Sequence, residues 1–205
     1  MLKTTLDQYD NSGYQPGRSL LIRTLWHLVS ALIFQSNLLP LNSLKIRLLR
    51  AFGAQIGQGV TIKPAVTIKY PWRLTVGDYV WIGEQAWIDN LANVRIGSHV
   101  CISQGAMLLT GSHNYKLPTF DLMLGSIVLE EGSWIGAKSV VCPGVVCQSH
   151  SVLAVSSVAT ADLAAYKIYQ GNPATVKRNR VPATSLPPIL PSSQTVLAKI
   201  DSQLA

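Results

Sequence analysis

The 205-residue chain predicts a mainly β fold, a parallel β-helix in which the backbone winds round a prism. Three observations carry that prediction. From Ile56 to Ala159 aliphatic residues recur every six positions, a period that belongs neither to an α-helix nor to an antiparallel strand. Glycine often follows them, as in Ile56-Gly57, Val76-Gly77, Ile82-Gly83, Ile96-Gly97 and Ile135-Gly136. A small or β-branched residue stands two positions before most of them, as at Val60, Val66, Ala86, Ala106, Ser139 and Ser157.

The aliphatic columns are Ile56, Ile62, Ile68; Val76, Ile82, Ile88; Ile96, Ile102, Leu108; Leu129, Ile135, Val141; and Cys147, Leu153, Ala159. Three hexads make one coil, so the repeat predicts about five coils. Register slips by two residues from 68 to 76 and from 88 to 96. From Leu108 to Leu129 it slips by about 15 residues, so the segment 110–126 leaves the prism as a loop and returns in phase. Side chains alternate along a strand, so each small residue points inward with its aliphatic partner. Glycine after the aliphatic residue suits a corner with positive φ.

The residue between those two points outward. Trp81, Trp87, Cys101, Met107, Trp134, Val140, Val146, Val152 and Val158 hold such positions. An apolar exterior of this kind predicts a closed homo-oligomer. The alternative is that the loop and the terminal helices cover it within one chain.

Residues 1–53 form an N-terminal arm and helices, 54–180 the prism with its excursion at 110–126, and 181–205 a tail. Leu20 to Phe34 reads as a helix with Ser19 as N-cap and Pro40 beyond its end. Ser43 to Phe52 reads as a second helix ended by Gly53. Leu44, Leu48, Leu49 and Phe52 lie on one of its faces and Lys45, Arg47 and Arg50 on the other. Both helices suit capping of the prism's open end. The basic face also suits peripheral attachment to an anionic membrane. The apolar run is too short, and too charged at Arg23, for a transmembrane span. Met1 to Gly17 is polar and carries no cleavable signal pattern. The tail, with Pro182, Pro187, Pro188 and Pro191, reads as a flexible extension.

Net charge is +7, with 48% hydrophobic and 13% charged residues. The basic residues gather in Arg18 to Arg50 and Lys177 to Arg180 without interleaved aromatics, which argues against nucleic-acid binding. Three cysteines, Cys101, Cys142 and Cys147, show no metal spacing. An odd number suits a reducing, cytoplasmic setting, and Cys147 takes an inward core position.

Of the four histidines, His27 lies in the apolar helix. His99 and His150 each stand three residues after a column position and read as turn residues. His113 sits in Thr110-Gly111-Ser112-His113-Asn114-Tyr115, at the start of the excursion. A surface imidazole beside a loop that can wall a cleft is a candidate general base. No nucleophile elbow and no acidic pair stands near it, which favours direct transfer between two substrates held in proximity.

The hexads, the Gly-Ser-His-Asn excursion, Trp134-Ile135-Gly136-Ala137, Pro143-Gly144-Val145 and Gly171-Asn172-Pro173-Ala174 together resemble the hexapeptide-repeat acyltransferases. The likeness spans about residues 6 to 180 and is strongest to the acetyltransferases of colanic acid and other exopolysaccharide biosynthesis. The opening Tyr9-Asp10-Asn11 and Tyr14-Gln15-Pro16-Gly17-Arg18-Ser19 resembles that branch as well. The resemblance implies a left-handed helix, a homotrimer, and an active site between subunits with acetyl-CoA along the coils. It implies that His113 deprotonates an acceptor hydroxyl, and that Trp134, Gly136 and Ala137 line the pantetheine arm. It also implies a CoA contact through the backbone of Val155 and a phosphate contact from Arg178. Asp89 and Asn90, one coil before His113, are implied to face an acceptor sugar, and no metal is implied.

Some positions depart from the family pattern. Thr160-Ala161-Asp162 stands where related enzymes carry Thr-Lys-Asp, which removes a CoA-side lysine. Gln85 stands close to where they often have asparagine. Asn114 replaces a frequent aspartate, and Cys147-Gln148-Ser149-His150 lacks the Ile-Gly start. The expected function is O-acetylation of a sugar hydroxyl of an exopolysaccharide or its lipid-linked precursor. A small-molecule sugar or amine acetyltransferase is the alternative enzyme. A trimeric zinc enzyme on the same prism needs three converging histidines, and those here are at least 14 residues apart. A non-catalytic β-helix subunit would have no need of His113 or its loop.

Overall fold

A computed structural model describes residues 3–36 and 41–181. Pro40 and the Pro-rich tail beyond Val181 lie outside the described residues. The chain forms a parallel β-helix of three sheets visited in rotation. Sheet A holds Gln55–Ile56, Leu74–Val76, Val94–Ile96, Ile127–Leu129 and Val146–Cys147. Sheet B holds Thr61–Ile62, Trp81–Ile82, Cys101–Ile102, Trp134–Ile135, Val152–Leu153 and Lys167–Gly171, with Ala174–Asn179 added antiparallel at its end. Sheet C holds Thr67–Ile68, Trp87–Asp89, Met107–Leu109, Val140–Val141 and Val158–Ala159.

Every column residue from Ile56 to Ala159 is buried, and so is every small residue two positions before it. The narrow interior explains the alternation: a large side chain from one position and a small one from the next fill it without a void. Sheet B runs one strand past the last hexad, and Leu163 bridges Cys147 in parallel, so the helix makes about six turns rather than five. Leu163 follows Ala159 too closely for the six-residue period to reveal it. Burial pushes the Cys147 thiol up to about 12, as expected of an inert core cysteine.

All the irregularities fall at one corner, where sheet C hands the chain to sheet A. Partners Gln55 and Thr75, and Thr75 and Arg95, are 20 residues apart, whereas Val128 and Val146 are 18 apart. The two short slips lie at Tyr70–Arg73 and Asn90–Asn93. The long excursion leaves at the same corner one coil on, and Gly125 N–H donates to Thr110 C=O at 2.9 Å to close its base.

The corner glycines differ from expectation. Gly57, Gly77, Gly83, Gly97 and Gly136 are absent from the positive-φ residues. They are glycine because a Cβ there meets the next coil; at Gly136 it would lie 2.7 Å from Leu153 C=O and Val155 N. The left-handed conformation falls two residues later, three after the column residue, at Ala65, Tyr79, Gln85, His99, Lys138, His150 and Ser156. His99 and His150 are thus corner residues, stacked on Tyr79 and Tyr166.

Helix α1 (Leu20–Val29), extended by a π-helical turn Ser30–Phe34, and helix α2 (Asn42–Ala51) close the first coil. Ser19 holds the N-cap position of α1 but makes no side-chain cap bond. A first coil exposes strand edges with unpaired backbone groups, and each sheet receives side chains that satisfy them. On sheet A, Arg50 donates to Ile56 C=O at 2.7 Å and Gly57 C=O at 2.9 Å. On sheet B, Asn42 accepts from Ile62 N–H at 2.8 Å and donates to Val60 C=O at 2.9 Å, while Lys45 Nζ donates to Lys63 C=O at 2.9 Å. On sheet C, Trp26 Nε1 donates to Ile68 C=O at 2.9 Å.

Lys45 therefore does not lie on an outward basic face. It is fully buried, and burial pulls its ammonium below the usual lysine pKa. Arg50 is likewise engaged with the prism, so the basic face expected of α2 is mostly occupied by capping. Lys45→Met is expected to lower stability by about 1–3 kcal/mol, because it strands buried carbonyls without a donor. Thermal unfolding of the purified variant measures this, and an unchanged melting temperature would refute the capping role.

Candidate active site

The excursion is a β-hairpin, Gly111–His113 paired antiparallel with Leu122–Leu124. His113 is exposed on it. Its Nδ1 lies 2.8 Å from Phe120 C=O. A carbonyl can only accept, so Nδ1 carries the proton and the Nε2 of the neutral ring holds a free lone pair. Two rings fix the plane of the imidazole. Phe120 stacks on it at 4.7 Å and 10°, and Tyr9 meets it edge-on at 5.8 Å.

Phe120 has φ +56 and is the one non-glycine left-handed residue away from the prism corners among those described. For a bulky side chain that conformation costs about 1–3 kcal/mol. It places both the carbonyl and the ring of Phe120 against His113. The N-terminal arm contributes through Thr5, whose N–H donates to Pro118 C=O at 2.8 Å. Tyr9 and Phe120 were not singled out from the sequence as site residues. Nothing in the hexad pattern marks them, and only the resemblance of the opening Tyr9-Asp10-Asn11 pointed to the arm.

The residues implied to hold CoA gather elsewhere. Gly136 and Ala137 sit at the corner between sheets B and C, directly against Val155 and Ser156 of the next coil; Ala137 C=O accepts from Ser156 N–H at 2.9 Å. Val155 is exposed. Trp134, on the outer face of sheet B, is half-exposed and donates from Nε1 to Ser103 Oγ at 2.9 Å. Arg178 lies further along that sheet, opposite Ile168, with its side chain exposed. Arg180, by contrast, is docked, donating to Gly132 C=O and His150 C=O.

His113 and this strip lie at different corners of the prism. The hairpin springs from the corner between sheets C and A, whereas Gly136, Ala137 and Val155 hold the corner between sheets B and C.

Asp89 and Asn90 part company. Asp89 Oδ1 lies 3.1 Å from Lys69 Nζ at the outer edge of sheet C. Asn90 is fully buried, donating to Tyr70 C=O at 2.6 Å and accepting from Tyr70 N–H at 2.9 Å. It braces the irregular corner, so an acceptor-facing role for Asn90 is not what the structure shows. Val152, read as outward, is buried between Trp134 and Ile168.

No family model matches the chain. Its fold is similar to that of the hexapeptide-repeat acetyltransferase VCA0836 of Vibrio cholerae, with TM-score 0.71 and 25% identity over 79% of this chain and 92% of that one. The chain belongs to the hexapeptide-repeat acetyltransferases. In sequence it is 38% identical, over 82% of its length and 92% of the relative's, to the protein named colanic acid biosynthesis acetyltransferase WcaF in Escherichia coli (strain K12). A second structure of VCA0836 is complexed with acetyl coenzyme A, and matches at TM-score 0.70 and 24% identity, covering 79% of this chain and 88% of that one. No helix among the described residues is long and apolar enough to cross a membrane.

Proposed function

We propose that the protein is an acetyl-CoA-dependent O-acetyltransferase acting on a sugar hydroxyl of an exopolysaccharide or its lipid-linked precursor, with His113 as general base. The observation that carries this is the bond from His113 Nδ1 to Phe120 C=O, which leaves Nε2 as the ring's proton acceptor. Nε2 takes the hydrogen of the acceptor hydroxyl as that oxygen attacks the thioester carbonyl. The tetrahedral intermediate collapses, the carbon–sulfur bond breaks, and the imidazolium returns its proton to the departing CoA sulfur. No covalent enzyme intermediate is needed, and binding both substrates side by side supplies much of the rate.

Acetyl-CoA is proposed to lie along the strip formed by Trp134, Gly136, Ala137 and Val155, with Arg178 near its phosphates. His113 and that strip lie at different corners of one prism, and a neighbouring chain is proposed to complete the site. A cyclic homotrimer is the arrangement proposed, with the half-exposed Trp81, Trp87 and Trp134 contributing apolar surface. Purified protein given acetyl-CoA and a panel of free and lipid-linked sugars should release free thiol with at least one sugar. Release with amines alone would favour the N-acetyltransferase alternative.

A further inference from the structure

A cleft of about 450 Å³ separates α1 from the outer edge of sheet C. Arg23, His27, Lys69, Tyr70, Trp87 and Asp89 are among the residues that line it. Arg23 Nε is buried there without a hydrogen-bond partner. The Arg23 side chain as a whole is part-exposed at the cleft, and its planar guanidinium fork matches phosphate oxygens. Lys69 adds a second cation, already paired with Asp89. The Trp87 ring is half-exposed, a surface on which a sugar ring can lie, and the Asp89 carboxylate can accept from sugar hydroxyls.

The outward face of α1 bears Leu21, Leu25 and Leu28, spaced four and three residues apart, with Leu32 beyond them in the π-helical turn. These four are 51–78% exposed. The opposite face, with Trp26, Ser30 and Phe34, is buried against the prism. A helix apolar on both faces needs a second apolar surface. Leu20, 70% exposed, stands at the junction of the leucine face and the cleft. Arg18, exposed just before the helix, places positive charge near that face, which suits an anionic lipid surface.

We propose that this cleft binds the phosphate of a lipid-linked saccharide while the leucine face of α1 lies in the membrane surface. The inference rests on the reading above that the acceptor is a saccharide, and names how it is presented. The cleft adjoins the catalytic hairpin, because Thr110, where the excursion begins, donates its N–H to Asp89 C=O at 3.2 Å. A sugar anchored by its phosphate at Arg23 would therefore extend toward the base of that hairpin.

The test uses the full-length protein and two binding measurements that do not depend on acetyl transfer. Calorimetry with glucose 1-phosphate probes the cleft in solution. Co-sedimentation with phosphatidylcholine vesicles, with and without phosphatidic acid, probes the surface. Wild type is expected to bind glucose 1-phosphate, and to bind vesicles more tightly when they carry the phosphomonoester lipid. Arg23→Gln is expected to weaken both phosphate-dependent signals about tenfold, and Lys69→Gln serves if Arg23→Gln lowers the melting temperature. The triple substitution Leu21→Ser, Leu25→Ser and Leu28→Ser is expected to abolish vesicle binding and leave glucose 1-phosphate binding unchanged.

No phosphate-dependent signal in wild type, or unaltered binding by the arginine and lysine variants, would overturn the proposal. So would loss of oligomeric state in the triple-serine variant, because the leucines would then face a second copy. Such failure would leave thiol release with free sugars intact. Failure of the catalytic reading would appear instead as unchanged turnover in a His113 variant.

Discussion

His113→Ala is expected to lower acetyl transfer by about 10²- to 10⁴-fold while the protein keeps its fold and its affinity for acetyl-CoA. The fold should persist because the ring is exposed on a hairpin and fills no part of the prism interior. Affinity for acetyl-CoA should persist because the proposed strip, on sheet B and at its corner with sheet C, contains no atom of His113. The loss is therefore expected in kcat. Thiol-release kinetics with saturating acetyl-CoA, beside calorimetric binding of CoA, separate the two quantities. Turnover close to wild type would remove the base assignment. Phe120→Ala is expected to have a smaller effect of the same kind. The backbone carbonyl that accepts from Nδ1 remains, but the stacked ring that holds the imidazole plane is gone.

Two inactive variants are expected to restore activity when their chains assemble together. The first is His113→Ala. The second is Gly136→Leu, whose side chain would be driven against the backbone of the next coil and would deform the strip. A mixed oligomer contains sites that draw His113 from one chain and Gly136 from its neighbour. In a cyclic trimer that holds both kinds of chain, one of the three sites carries both intact residues. Co-expressed chains with distinct tags, purified through both, should therefore show a substantial fraction of wild-type thiol release, with each variant alone near background. Background activity in the doubly tagged species would mean that one chain supplies the whole site. The expectation rests on the proposed trimer, in which the hairpin at one corner of a prism meets the strip at a different corner of its neighbour.

Much of the architecture was legible because the interior of a β-helix is a one-dimensional filter. Each coil must place a large and a small side chain at fixed points of a narrow cavity, so burial writes itself into the sequence every six residues. Ile82, Ile102 and Ile135 stack because their coils do. The candidate base was legible for the complementary reason. His113 lies where the period fails, and in a repeat a failure has a definite position.

Other features left no periodic trace. Lys45 looked like a surface cation because helical spacing put it beside Arg47. Its burial depends on carbonyls of Ile62 and Lys63 that need a donor at that point of the first coil. Asn90 looked able to face a substrate because it lies one coil before His113, but at the slip of two residues it turns inward against Tyr70. The role of the corner glycines was misassigned for a related reason. Their constraint comes from a backbone one coil away, which no local φ preference expresses.

By itself, then, the sequence determined the repeat, its inward columns, the point where the chain departs from it, and the family. All of these follow from local alternation and from burial repeated at fixed intervals. Only the tertiary structure decided which nitrogen of His113 is free, which polar side chains close the first coil, and that the base and the proposed CoA strip stand at different corners of the prism. Those depend on distances between residues far apart in the chain, where hydrogen-bond geometry rather than pattern selects the outcome.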